Sequence, residues 1–245
     1  MTLSGKIPML KNLNHNDASF SPIHDIPKAI IFDWDNTIVN TWLPILEAMN
    51  QTLEAMGLAR WDFETYKQKS LGRARADFFP EIFGSDWNRA SDIFEQAFYS
   101  DDYITHLELI PEMATFINMV SKHNVPLCVV SSKEGDKLRY EAEHLGISNV
   151  FRAIVGAGDA ARNKPSRDIV YYALEQAKLG FTPSAGQQVW FVGDAISDVE
   201  CAYNSGCVPV LYGNEPMDAS LTDGKEFPIM AFDVMKANIL GALSN

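Results

Sequence analysis

Cysteine is scarce in this chain, histidine is isolated, and positive charge is in deficit. The three cysteines are Cys128, Cys201 and Cys207, and no two stand at CxxC spacing. Nothing in their placement builds a disulfide framework, so a reducing, cytoplasmic setting is expected. Cys128 lies inside an apolar run and reads as a small buried hydrophobe. The five histidines, His15, His24, His106, His123 and His144, show no paired metal spacing. Lys and Arg total 20 against 32 Asp and Glu, a formal net charge of −12. Such a balance repels nucleic acid and anionic membrane surfaces, and neither is expected as a partner. To handle a small anion, so acidic a chain needs a local cation, either Lys/Arg or a metal ion. No apolar stretch reaches the length that spans a bilayer. The first twenty residues, "MTLSGKIPMLKNLNHNDASF", lack the continuous apolar core of a signal peptide.

What is present is apolar sequence in short runs. Hydrophobic residues make up 47% of 245 positions, enough for a sizeable core and a smaller second domain. Residues 1–27 read as a polar extension ending at Pro27. Five runs then read as buried strands: "AIIFDW", "VPLCVVSS", "VFRAIVGAG", "QQVWFVGD" and "CVPVLYG". Helical patterns separate the last four. Between the first strand and the rest, residues 43–106 contain helices with loops and no convincing strand. "SDWNRASDIFEQAFYS" is the clearest helix there, with Ser85 or Asp86 as its N-cap. Alternating strands and helices predict an α/β fold: a Rossmann-like, doubly wound parallel sheet with helices on both faces. The core is expected over 28–42 and 107–245, and 43–106 as a small inserted α-helical cap domain.

In open parallel sheets, ligands bind at the carboxyl ends of the strands. The first strand ends in Asp33 and Asp35, the second in Ser131 and Ser132, and the fourth in Asp194, with Asp198 shortly after. Lys164 follows the third strand in "RNKPSRD". Carboxylates drawn from different strands suit a hard cation such as Mg2+, which takes a few protein oxygens and keeps some waters. A hydroxyl and a backbone N–H at a helix start hold phosphate oxygens. Lysine supplies a point charge for a developing phosphoryl anion. An aspartate can attack phosphorus to form an acyl phosphate, and a second acid can move the protons.

"FDWDNT", "VVSS", "KPSRD" and "FVGDAISD", in that order, resemble the four motifs of the haloacid dehalogenase superfamily, over roughly residues 28–213. The resemblance implies that Asp33 is the nucleophile and a Mg2+ ligand. It implies that Asp35 is the general acid/base, with its backbone carbonyl on the metal, and that Thr37 supports this loop. Ser131 then matches the phosphate-binding hydroxyl, with Ser132 beside it. Lys164 matches the lysine that holds nucleophile and phosphate. Asp194 matches the second metal carboxylate, and Asp198 an outer acid of variable role. An acid at position 35 resembles the phosphatase branch rather than the dehalogenases, and the helical insert resembles the cap of phosphoglycolate-phosphatase-like members. Two departures stand out: Asn36 where many members have Gly, and Arg167 where many have a second proline.

Several of these residues also have plainer readings. Ser132 suits the cap of the following helix. Ser197 and Glu200 fit a capping box, beside which Asp198 would favour the positive end of its helix. "GAG" at 156–158 lacks the third glycine of a dinucleotide loop and reads as a lead-in to Lys164. Lys67, Lys69, Arg73 and Arg75 form a basic cluster in the cap; a solvated helix face is its commoner meaning, and Arg73 is the best single candidate for a substrate contact. The expected activity is Mg2+-dependent hydrolysis of a small phosphorylated metabolite through an aspartyl-phosphate. The alternatives are phosphoryl transfer by a phosphomutase of the same chemistry, or ligand binding without turnover.

Overall fold

A computed structural model of the chain describes residues 26–70, 75–183, 189–213 and 229–243. The expected extension over 1–27 therefore lies almost wholly outside the described residues. The chain enters through β1 (Ala29–Phe32) and a short β2 (Val39–Asn40). Five helices follow: α1 (Trp42–Ala55), α2 (Phe63–Ser70), α3 (Arg75–Phe83), α4 (Trp87–Phe98) and α5 (Asp101–Thr105). It returns through β3 (Glu108–Leu109), α6 (Pro111–Ser121), β4 (Leu127–Glu134), α7 (Gly135–His144) and β5 (Ala153–Ala157). The last part holds α8 (Arg167–Gln176), β6 (Val189–Gly193), α9 (Ile196–Ser205), β7 (Val208–Leu211), β8 (Met230–Ala231) and α10 (Phe232–Leu243).

Six strands form one parallel sheet in the order β5-β4-β1-β6-β7-β8. All four residues of β1 are buried, and they alternate between faces. Ile30 and Phe32 pack with Phe116 of α6, Leu138 of α7 and Met235 of α10. Ala29 and Ile31 pack with Ile169 and Leu174 of α8 and Cys201 of α9. Burial on both faces is why the strands read as unbroken apolar runs rather than alternating ones. From β1 the chain builds outward to β4 and β5 on one side, then to β6, β7 and β8 on the other. The order of winding reverses at β1, so its carboxyl end is the switch point where such sheets open a crevice.

The helical stretch between β2 and β3 is held by rings. Phe79 meets Phe94 edge-on at 5.8 Å between centroids, and Phe98 meets Tyr103 at 4.5 Å. These rings run from the middle of the helices to α5, where the chain returns to the sheet.

Several details differ from the sequence reading. β1 stops at Phe32, so both acids of "FDWD" lie in the loop beyond it. β4 continues past Ser131 to Glu134, and α7 starts at Gly135 with no side-chain cap, so Ser132 does not cap that helix. Asp86 holds the N-cap position of α4 without a side-chain bond, and Ser85 lies in the 3-10 turn before it. The first glycine of "GAG" lies within β5. β2, β3 and β8 were not expected; each has two residues, too few to show a period. Among the described residues no helix is long and apolar enough to cross a membrane.

Candidate active site

The parallel register sets three strand ends side by side. Phe32 pairs with Val129 on β4 and with Val192 on β6, so Asp33, Ser131 and Asp194 emerge at one rim. The ladder runs one residue past β1: the Asp33 N–H donates to the Val192 carbonyl at 2.8 Å. The chain then turns sharply, and the N–H groups of Ile38 and Val39 both donate to the Trp34 carbonyl, at 2.9 and 3.0 Å. Asn36 carries the turn at φ 58°, a left-handed conformation that asparagine adopts more readily than other side-chain-bearing residues. Its Oδ1 accepts from both the N–H and the hydroxyl of Thr41, each at 3.1 Å. A glycine would supply the backbone angle but not this tie to the start of α1.

Asp33 is buried beside two other acids. Oxygens of Asp33, Asp194 and Asp198 all lie within 4.8 Å of one another. Lys164 reaches between two of them, donating to Asp33 Oδ1 and to Asp198 Oδ1, both at 2.6 Å. Its side chain is 2% exposed. Burial opposes the lysine's charge, but Asp198 and Asp33 outweigh it and hold the ammonium protonated. Burial, then the neighbouring Asp198, push the Asp33 carboxyl up to about 7 against the pull of Lys164. Asp194 is likewise raised, first by burial and then by Asp33 and Asp198. Lys164 touches only two of the three acids, and ionising all three would leave excess negative charge. Hard oxygen donors held this close fit a small divalent cation, which would relieve the repulsion.

Asp194 also accepts from the buried Thr37 hydroxyl, at 3.4 Å. Asp198 does two jobs: Oδ1 meets Lys164, and Oδ2 accepts the Ala195 N–H at 3.0 Å. The second bond caps α9, whose N-cap is Ala195. This corrects the expected capping box of Ser197 and Glu200; the helix begins earlier, and Asp198 is the acid that reaches back. A Cβ on Gly193 would collide with the Asp198 carboxyl, so this strand-end glycine makes room for the acid.

Asp35 belongs to a different charge network. Its Oδ1 accepts from Lys133 at 2.8 Å, and its carboxylate is not part of the three-acid cluster. Ser131 is buried at the end of the apolar run of β4, and its Oγ accepts the Lys133 N–H at 3.2 Å. Ser132 is exposed. Arg73 lies outside the described residues. Of its basic neighbours, Lys69 sits over the Trp61 ring at 5.4 Å, and Arg75 pairs with Glu95 at 2.9 Å.

The sequence reading passed over Lys133 and Glu141. Lys133 is 5% exposed, and its ammonium lies 2.7 Å from both Glu141 oxygens. A signal was available. Leu138, Glu141 and Ala142 share the buried face of α7, and an acid on an apolar face calls for a buried partner.

Comparisons with known proteins bear on the family and the fold. A phosphoglycolate phosphatase of Chromobacterium violaceum is 28% identical over 221 residues, covering 85% of this chain and 96% of that protein. A HAD-superfamily hydrolase from Ehrlichia chaffeensis superposes with a TM-score of 0.58 at 26% identity, over 89% of this chain and 97% of that one. A haloacid dehalogenase-like family hydrolase from Streptococcus pneumoniae shares the fold with a TM-score of 0.71 at 20% identity, over 87% of this chain and 98% of its own. The model of the family described as haloacid dehalogenase-like hydrolase matches residues 30–211, from inside β1 to the end of β7. That span takes in every strand end at which the acids and Lys164 converge, and the chain belongs to the haloacid dehalogenase-like hydrolases.

Proposed function

We propose that this chain is a Mg2+-dependent phosphatase of a small phosphorylated metabolite, working through an aspartyl-phosphate on Asp33. The observation that carries this reading is the separation of the two loop acids. Asp33 is held by Lys164, whereas Asp35, two residues on, is held by Lys133. Two acids on different cations can take different roles.

In the first half-reaction an Asp33 oxygen attacks phosphorus as the ester P–O bond breaks. Asp35 passes a proton to the departing oxygen. In the second, Asp35 takes a proton from water, whose oxygen attacks phosphorus. The bond to Asp33 breaks, and the carboxylate and inorganic phosphate are restored. Lys164 keeps a positive charge beside the reacting carboxylate throughout, and the Ser131 hydroxyl is assigned to a phosphate oxygen. Asp33, Asp194 and Asp198 would hold Mg2+, with the Asp35 carbonyl completing the set, and the ion would neutralise charge between the acids and the incoming phosphate. Residues 43–106 are assigned as the cap over this rim, in keeping with their all-helical content among the described residues. The relatives named phosphoglycolate phosphatase make short phosphorylated acids the first substrates to assay. The three free, buried cysteines are in keeping with a cytoplasmic setting.

The test is phosphate release by purified protein from an aryl phosphate and a panel of phosphorylated metabolites, with Mg2+ or with chelator. Metal-dependent release supports the reading. Ligand binding by calorimetry with no release from any ester would mark a binding protein instead. Phosphate passed to a sugar phosphate in preference to water would mark a transferase.

A pH dependence follows from the raised Asp33. Its carboxyl titrates at about 7 in the metal-free fold against 3.8 as its ordinary value. The native state therefore holds a proton in the interval between these values that the unfolded chain gives up. Metal-free stability from this group is present below the lower value and is lost as pH rises through the higher one. A cation needs the ionised form, so its benefit runs the opposite way. The rise in melting temperature produced by Mg2+ is expected to be small near about pH 5.5 and larger near about pH 8. Thermal melts with Mg2+ and with chelator at both values check this; a shift that shrinks with rising pH contradicts it.

A further inference from the structure

The residue between the two loop acids, Trp34, is fully buried, and its indole N–H donates to Glu141 Oε2 at 2.6 Å. The same carboxylate receives the Lys133 ammonium on both oxygens and the Tyr103 hydroxyl at 3.1 Å. Lys133 donates in turn to Asp35 at 2.8 Å and to the Tyr103 oxygen at 3.2 Å. One buried acid thus grips Asp35 from two directions: through the backbone neighbour Trp34 and through the ion partner Lys133. Tyr103, which bonds both Glu141 and Lys133, comes from α5, where the helical stretch returns to the sheet. Burial raises the Glu141 carboxyl, and Lys133 pulls it back. A buried ion pair of this kind is weak as a source of stability, since apolar packing of similar volume often does as well. What it supplies is a fixed place for its members.

We infer that Glu141 and Tyr103 are positioning residues that hold Lys133, and through it the Asp35 carboxyl, where a proton can reach the leaving oxygen. The inference rests on the assignment of Asp35 as acid/base made above. In the step concerned, the bond from Asp33 to phosphorus forms, the ester P–O bond breaks, and the Asp35 proton goes to the departing alkoxide. An aryl oxide leaves with little help from a proton, whereas an alkoxide needs it. Displacing Asp35 therefore harms alkyl esters selectively, and kcat/KM reports the step in which the leaving group departs.

The experiment compares kcat/KM on 2-phosphoglycolate and on p-nitrophenyl phosphate for Glu141→Gln and Tyr103→Phe. Glu141→Gln keeps the shape of the side chain. Tyr103→Phe removes one hydroxyl, keeps the ring, and serves if the first variant does not fold. The expected loss on the alkyl ester is about 10- to 100-fold and exceeds that on the aryl ester by about tenfold. Equal losses on the two esters, or no loss on either, overturn the positioning role. Asp33→Asn is run alongside. If it is inactive on both esters, such a result counts against Glu141 and Tyr103 alone. If it is fully active on both, the aspartyl-phosphate reading fails, and this inference with it.

Discussion

Asp33→Asn is expected to lower phosphate release by more than about 10³-fold, the scale of losses seen when a covalent nucleophile is removed. An amide has no carboxylate oxygen to form the acyl phosphate, and no other described residue shares its place at the end of β1. The same change should leave the fold intact. Ionising Asp33 is unfavourable in the metal-free protein because the carboxylate is buried next to Asp198. A neutral amide of the same shape removes that cost and can still accept from Lys164. At pH values above about 7, where the native carboxyl is ionised, the metal-free variant is therefore expected to melt no lower than the parent. Activity and melting temperature measured on one preparation separate this outcome from simple misfolding. A variant that unfolds, or one that keeps its turnover, speaks against the role assigned to Asp33.

Removing Lys164 should be costly in both respects. Its ammonium joins Asp33 to Asp198, 2.6 Å from each, and all three side chains are nearly shielded from solvent. Lys164→Met preserves the aliphatic stem and deletes the charge. Breaking a buried pair from one side costs about 3–5 kcal/mol, because the remaining charges stay buried and uncompensated. Asp33, Asp194 and Asp198 would then stand together with no lysine. The loss should shrink as pH falls, since Asp33, already raised to about 7 with the lysine in place, takes up a proton instead. Phosphate release should drop by about 10²- to 10³-fold, the usual effect of deleting one preorganised charge partner of a reacting group. Denaturant melts at two pH values, combined with turnover, test both halves. A Lys164→Met protein that is as stable as the parent near pH 8 would show that the lysine does not balance the acids.

Much of this was legible in the sequence for a physical reason. A parallel strand covered on both faces must be apolar throughout, so "AIIF" and "VWFV" announce themselves, and the first acid after each marks the strand end. Asp33 and Asp194 were found in this way. Lys164 is different. It lies 131 residues from Asp33 in sequence, and only the order of the motifs pointed to its partner before the fold brought them together. The local caps were harder. Ser132 and Ser197 each suit a helix start, yet β4 runs past the first and α9 begins ahead of the second. Where the chain leaves a strand depends on tertiary contacts rather than on the capping residue. β2, β3 and β8 are too short to carry a pattern. Glu141 was visible as an acid on an apolar helix face, but its partners Trp34, Lys133 and Tyr103 come from three other elements. No spacing in the sequence joins them.

The central claim is a covalent phosphate on Asp33, and it can be read directly. The protein is mixed with Mg2+ and a turned-over ester, quenched in acid within the steady state, and treated with borohydride, which reduces an acyl phosphate to an alcohol. Peptide mass spectrometry then locates the product. The account predicts homoserine at position 33, absent when ester is withheld. Steady turnover with homoserine at another position, or at none, would contradict it.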